Sequence, residues 1–183
     1  MKQFLLSLSL LFSASCANRA AKLPNYGRVP AFSMLDSEGR AFQSGALAGK
    51  VWVADFIYTT CPAECPMMSS KMQRVHKQVA GANDVRIVSF SVDPARDSPQ
   101  ALKQFGSRYG GATADWIFLT GTPETVHLLA YTTFHVGDVL GKIEHSTKFM
   151  LVDKRGDIRG YYSSFDTEGI PALLKDLEAL RHK

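Results

Sequence analysis

The sequence predicts an α/β domain, a mixed β-sheet covered by helices on both faces. Strand-like runs rich in β-branched and aromatic residues alternate with runs of helical periodicity. Gly, Pro or a capping residue stands at the junctions between them. The chain has 183 residues, 45% of them hydrophobic and 21% charged, which suits one domain with a sizeable core.

Each element follows from its residues. "FSMLDSEGRAFQSGALAGK" reads as a short hairpin turning at Ser37-Glu38-Gly39, followed by a loop. "KVWVADFIY", residues 50–58, reads as a buried strand. In residues 66–80 Met68, Met72, Val75 and Val79 recur at helical spacing, and Gly81 stops the helix. A proline inside a helix lacks an N–H and clashes with the preceding turn, so this helix is expected to begin with Pro66 at N1 and Cys65 at the cap. "VRIVSFSVD", residues 85–93, is a second buried strand, and "DSPQALKQFGSRYG" a helix with Pro99 near its start. "WIFLTG" is a short strand, and "TPETVHLLAYTTF" a helix capped by Thr122 with Pro123 at N1. "KFMLVDKRGDIRGYY" is a hairpin turning at residues 154–157, and "TEGIPALLKDLEALRHK" a closing helix. From the first long strand onward the order is β–α–β–α–β–α–β–β–α, with no internal repeat.

The formal net charge is +4. No basic run interleaves with aromatic residues, so nucleic acid is not an expected partner. The first segment, "MKQFLLSLSLLFSASCANRA", has Lys2 as a positive start, an apolar stretch over residues 4–12 and small residues after it. It is too short for a membrane span and reads as an export signal over residues 1–15. Cys16 closes "SASC", which resembles a bacterial lipoprotein cleavage site. That resemblance implies a lipid on Cys16 and a membrane anchor on the periplasmic side; plain cleavage is the alternative. Residues 16–31 then form a tether, and residues 32–183 the domain.

The chemistry centres on "FIYTTCPAECPMM". Cys61 and Cys65 lie at a strand-to-helix junction, near the positive end of a helix dipole that favours thiolate. Outside the cytosol such a pair oxidises unless a metal or a reductant protects it. The spacing is Cys-x-x-x-Cys, wider than the Cys-x-x-Cys of a thioredoxin-type redox pair. It leaves room for an ion between the sulfurs, yet still permits a disulfide. A metal site needs more ligands. Of the five histidines, His76 and His127 sit in helical patterns and His182 lies at the tail. His135 and His145 flank a Gly-containing loop, and His145 enters the "STKFMLVD" strand, where a rigid element can position it. Two thiolates and an imidazole suit Cu(I) and Cu(II); zinc accepts the same set.

Four segments, "FIYTTCPAECPMM", "SFSVDPARDSP", "WIFLTGTPE" and "HSTKFMLVDKRGDIRGYY", resemble the Sco/SenC family in identity and order, across most of residues 40–165. The resemblance implies a thioredoxin-like fold and a copper metallochaperone for cytochrome c oxidase assembly, delivering the ion to the CuA centre of an oxidase subunit. It implies Cys61, Cys65 and His145 as copper ligands, and places Asp93 of the "VDP" segment beside the site. A copper donor and a thiol reductant are the further partners it implies. Many members carry a transmembrane helix, where this chain offers a cleavable signal and Cys16. A thiol-disulfide oxidoreductase that reduces the acceptor's cysteines through Cys61 and Cys65 is the alternative function. A peroxiredoxin-like peroxidase ranks third, because the second cysteine lies so close.

Overall fold

The computed structural model describes residues 22–136 and 146–182. Cys16 and His145 lie outside the described residues. The strands are β1 (Ser33–Asp36), β2 (Ala41–Gln43), β3 (Val51–Ile57), β4 (Val85–Ser91), β5 (Trp116–Thr120), β6 (Lys148–Val152) and β7 (Ile158–Ser163). The helices are α1 (Glu64–Gln78), α2 (Pro99–Ser107), α3 (Pro123–His127) and α4 (Gly169–Arg181). The seven strands form one sheet in the order β2-β1-β5-β4-β3-β6-β7. β3, β4 and β5 run parallel, while β6 pairs antiparallel with β3 and β1 with β5. The sheet is mixed, as the element order implies.

All seven residues of β3 are buried, because both faces of this central strand are covered. On one face Val51, Val53 and Ile57 pack with Met68, Met72, Leu102, Phe105, Leu173 and Leu177 of α1, α2 and α4. On the other, Trp52, Ala54 and Phe56 pack with Phe90, Val126 and Phe134. The alternation along β3 thus assigns each side chain to a layer, and it fixes Asp55 on the α1 face with Val53 and Ile57.

Thr122 caps its helix as expected, accepting from the amide of Thr125 (3.3 Å), and Ser98 caps α2 in the same way through the amide of Ala101 (3.2 Å), with proline at the first turn of each helix. After His127 the coil widens into a π-type turn over Leu128–Thr133, where Phe134 N–H donates to Leu129 C=O at 2.9 Å. Gly39 at φ +75° and Gly156 at φ +84° make the two hairpin turns.

Two expectations change. α1 begins at Glu64, not at Pro66, with Ala63 as its N-cap. Cys65 is therefore the second helical residue rather than the cap. A proline is tolerated at the third position because the first-turn amides have no intrahelical partner, and Pro66 would meet only the carbonyl of Pro62, outside the helix. Residues 22–31, expected as tether, are held on the domain. The Arg159 guanidinium donates to the Leu23 and Pro24 carbonyls at 2.7 Å each, Tyr26 N–H donates to Ile158 C=O at 2.9 Å, and the Tyr26 ring lies edge-on to Tyr161.

Candidate metal centre

β3 delivers its chain to the cysteines through Tyr58-Thr59-Thr60. Asp97 fixes that link. Its carboxylate accepts from the Thr59 amide (3.1 Å), the Thr59 hydroxyl (2.5 Å) and the Ser91 hydroxyl (2.6 Å). Asp97 is fully buried, so these bonds replace its hydration. Cys61 N–H then donates to Tyr58 C=O at 3.2 Å, which turns the chain toward α1.

Cys61 and Cys65 are both buried, and neither is in a disulfide. Cys65 N–H donates to Cys61 Sγ at 3.3 Å, and Glu64 carries a carboxylate oxygen 3.6 Å from the same sulfur. The two thiols differ in charge preference. Burial opposes ionisation of Cys61, but the amides of Cys65 and Ala63 and the Tyr58 hydroxyl outweigh it, so the Cys61 thiol is held below its ordinary range. Burial pushes the Cys65 thiol far up, and charge on Cys61 and on Asp55 adds to the rise. Cys61 is therefore the first thiolate and Cys65 the reserve. Burial also pushes the Tyr58 hydroxyl up to about 12, with Cys61 contributing.

Asp55 stands below the pair on β3. It is fully buried and among the described residues neither carboxyl oxygen has a hydrogen-bond partner, although Ser89, its cross-strand neighbour, pulls toward ionisation. Burial dominates and raises its carboxyl to about 7. The Ser89 hydroxyl accepts from Trp116 Nε1 at 3.0 Å. Beside Cys65 lies a cavity of about 20 Å³, lined by Tyr58, Cys65, Met68, Tyr131, Val136 and Ser146 among others. That is room for one water-sized body.

The structure brings Cys61 and Cys65 together at this end of the sheet. Asp93 lies at the same end, but its carboxylate pairs with Arg96 at 2.8 Å. His76 pairs with Asp115 at 3.0 Å and His182 with Glu178 at 2.7 Å, away from the cysteines. His135 Nδ1 lies 3.1 Å from Tyr131 C=O. Among the described residues no group of three or more His, Cys, Asp or Glu is placed to hold a metal ion. Sequence reasoning missed Asp55 and Asp97. Asp55 had a signal, an acid inside the otherwise apolar run "VWVADFIY". Asp97 had none, since an acid before a Ser-Pro helix start looks like surface.

A strand-to-helix dithiol on a mixed, doubly covered sheet defines a thioredoxin-like α/β protein. A model of the SCO1/SenC family matches residues 21–180, and the chain belongs to that family. It is 32% identical over 180 residues to the SCO1 protein homolog of Bacillus subtilis (strain 168), covering 94% of this chain and 92% of the relative. A SCO1/SenC family lipoprotein from Bacillus anthracis str. Ames superposes with TM-score 0.77 at 33% identity, over 87% of this chain and 97% of its own. BsSco, described with a disulfide switch and as a member of the Sco family of cytochrome c oxidase assembly proteins, gives 0.75 at 32%, over 87% and 96%. Yeast Sco1 with copper bound gives 0.66 at 25%, over 85% and 94%.

Proposed function

We propose that this protein is a copper metallochaperone that carries the ion as cargo to the CuA centre of a cytochrome c oxidase subunit. The observation that carries the reading is the pair of adjacent reduced cysteines, Cys61 with its thiol held low and Cys65 backing it. Two soft sulfurs suit Cu(I), and the cavity beside Cys65 accepts one small body. His145 is the third ligand in this reading. Its chain neighbour Ser146 lines the same cavity as Cys65, which supports the assignment. Delivery proceeds by stepwise exchange, each protein thiolate giving way to a thiolate of the acceptor. The copper-bound yeast relative and the assembly role ascribed to BsSco support the same reading. Export, periplasmic placement and a lipid on Cys16 complete it, supported by the lipoprotein relative. The described residues contain no helix long and apolar enough to cross a membrane.

The asymmetry of the two thiols favours a second reading, reduction of a disulfide in the acceptor. Cys61 thiolate attacks one acceptor sulfur and releases the other as thiolate. Cys65 then loses its proton to solvent and attacks Cys61 Sγ, breaking the mixed disulfide, freeing the second acceptor thiolate and leaving a Cys61–Cys65 disulfide, so the pair is oxidised by two electrons as the acceptor is reduced by two. The dithiol supplies both electrons. His145 separates the readings. Anaerobic titration of the reduced protein should bind one Cu(I) per chain, and the oxidised protein none, because a disulfide leaves no thiolate. His145→Ala should weaken Cu(I) modestly, abolish or reshape the Cu(II)–thiolate absorption and leave the disulfide potential nearly unchanged. A variant that binds both copper states like the parent and still supports oxidase assembly moves the reductase ahead. For the anchor, the intact mass of the exported chain should show a lipid on Cys16; an unmodified mature N-terminus overturns it.

A further inference from the structure

The end of the molecule opposite the cysteines gathers positive charge. β3 and β4 begin there, the β6–β7 hairpin turns there and α4 ends there. Arg28, Lys50, Arg86, Lys154, Arg155 and Arg181 meet at this pole. Lys50 and Arg86 both donate to the Asn83 carbonyl at 3.2 Å, and Lys154 donates to the Arg181 carbonyl at 2.6 Å. Carbonyl partners fix Lys50 and Arg86 without cancelling their charge. The carboxylates of the pole partly offset Arg28, Arg155 and Arg181 and leave Lys50 and Arg86 without an acidic partner among the described residues. Asp153 is buried against Arg159, Asp157 takes Arg28 and Arg155, Asp84 takes Arg181, and Glu178 takes Arg181 and His182.

The chain also emerges at this pole. Arg159 pins the carbonyls of Leu23 and Pro24 there, so residue 22 leaves from the basic end. Only five residues separate position 22 from Cys16, six steps along the chain and a reach of at most about 20 Å. The cysteines lie at the far end of β3, whose seven residues span about 23 Å. At that end Glu64 lies beside Cys61, Asp93 is paired with Arg96 and Asp97 is buried.

We propose that the basic pole is a docking face for an anionic phospholipid surface, which turns the cysteine end away from the membrane and toward its partners. The orientation rests on the anchored reading given above; the attraction does not. One lipid chain holds a protein only marginally, and a basic patch is the second contact that makes anchoring stable.

The test uses the chain from residue 16 with Cys16→Ser, which keeps every described residue and carries no lipid, so its outcome is independent of the mass measurement at Cys16. Sedimentation with phosphatidylglycerol-containing vesicles should show binding at low salt that is lost at high salt, and none to pure phosphatidylcholine. Each of Lys50→Gln, Arg86→Gln and Arg155→Gln should weaken binding by about fivefold, the equivalent of ~1 kcal/mol per cation at an anionic surface, while Lys71→Gln at the cysteine end leaves it unchanged. Acetylation footprinting of the unsubstituted chain should find Lys50 and Lys154 protected by vesicles and Lys71 reactive, a result that does not depend on how any variant folds. Absence of binding at low salt, equal binding to neutral vesicles, protection of Lys71 in place of Lys50, or self-association through this pole at the same concentrations overturns the proposal.

Discussion

The two ends of the sheet treat buried charge in opposite ways. At the basic pole Asp153 accepts from the amides of Arg155 and Asp157 and from Arg159, and Arg159 also donates to the Leu23 and Pro24 carbonyls. At the cysteine end Asp55 is buried with neither oxygen bonded among the described residues, Cys65 is pushed toward the neutral thiol, and Cys61 is pulled toward the thiolate. One end is saturated and rigid; the other keeps groups whose charge can move. A site that must take up and release a soft cation, or two electrons, needs the second arrangement, and the first keeps the scaffold still while it happens.

Breaking the saturated end should have the largest effect. Asp153→Ala strands the buried Arg159 guanidinium and removes the acceptor of two hairpin amides, at a cost of about 3–5 kcal/mol. The urea midpoint of the reduced, metal-free protein reads it. A loss under about 1 kcal/mol would mean that the hairpin turn and the segment at residues 23–29 hold without their ion pair, and the contrast between the ends would fail.

Asp55 gives the next effect, and its sign follows from its raised value. Unfolded, the carboxyl ionises near its ordinary range; folded, it holds its proton until about pH 7. Below about pH 4 both states are protonated and Asp55 brings no penalty. Between about pH 4 and 7 the unfolded chain loses the proton first, so stability falls as pH rises, and above about 7 the penalty is constant. Three units correspond to at most about 4 kcal/mol. Asp55→Asn should remove this slope, leaving the variant more stable than the parent above neutral pH. Matched urea curves across this range check it; parallel pH profiles for parent and variant would show that Asp55 is solvated or paired.

The architecture was legible because it is written in periodicity. The all-buried β3, the capped starts at Ser98 and Thr122 and the two hairpin turns each have a local cause that the residues display. The start of α1 was misplaced because proline was read as an interior breaker, whereas the first turn needs no amide from it. The cysteines were legible as chemistry. Their asymmetry was not, because it comes from the depth of Cys65 and from Asp55 beneath it, which only the packed sheet supplies. Asp97 was equally hidden: it is 38 residues from Thr59 in sequence, and β4 must lie beside β3 before the two can meet.

Asp97 sets the third expectation. Asp97→Ala leaves the Thr59 amide, the Thr59 hydroxyl and the buried Ser91 hydroxyl without their acceptor, a loss of about 2 kcal/mol. Because Thr59 leads into Cys61, the rate at which iodoacetamide alkylates Cys61 should change as well. Asp97→Asn keeps one accepting oxygen and should fall between parent and alanine in both measurements. An alanine variant with unchanged stability and unchanged alkylation would detach this carboxylate from the site.

Asp93 should give the smallest effect, and it sharpens the comparison because it stands four residues before Asp97 at the same end. Its partner, Arg96, has a side chain 71% exposed, and an ion pair so open to water contributes little. The turn there is held instead by the backbone of Asp93, whose carbonyl accepts from the amides of Arg96 (3.0 Å) and Asp97 (2.9 Å), and a side-chain substitution leaves those bonds intact. Asp93→Asn should therefore shift the urea midpoint by less than about 0.5 kcal/mol and leave Cys61 alkylation as in the parent. The informative measurement is copper affinity in the same variant. If affinity also holds, Asp93 belongs to the turn and not to the site. If affinity falls while stability and thiol reactivity stay fixed, Asp93 acts on the loaded state alone, and the cysteine end then recruits its acidic neighbour only when the cation arrives.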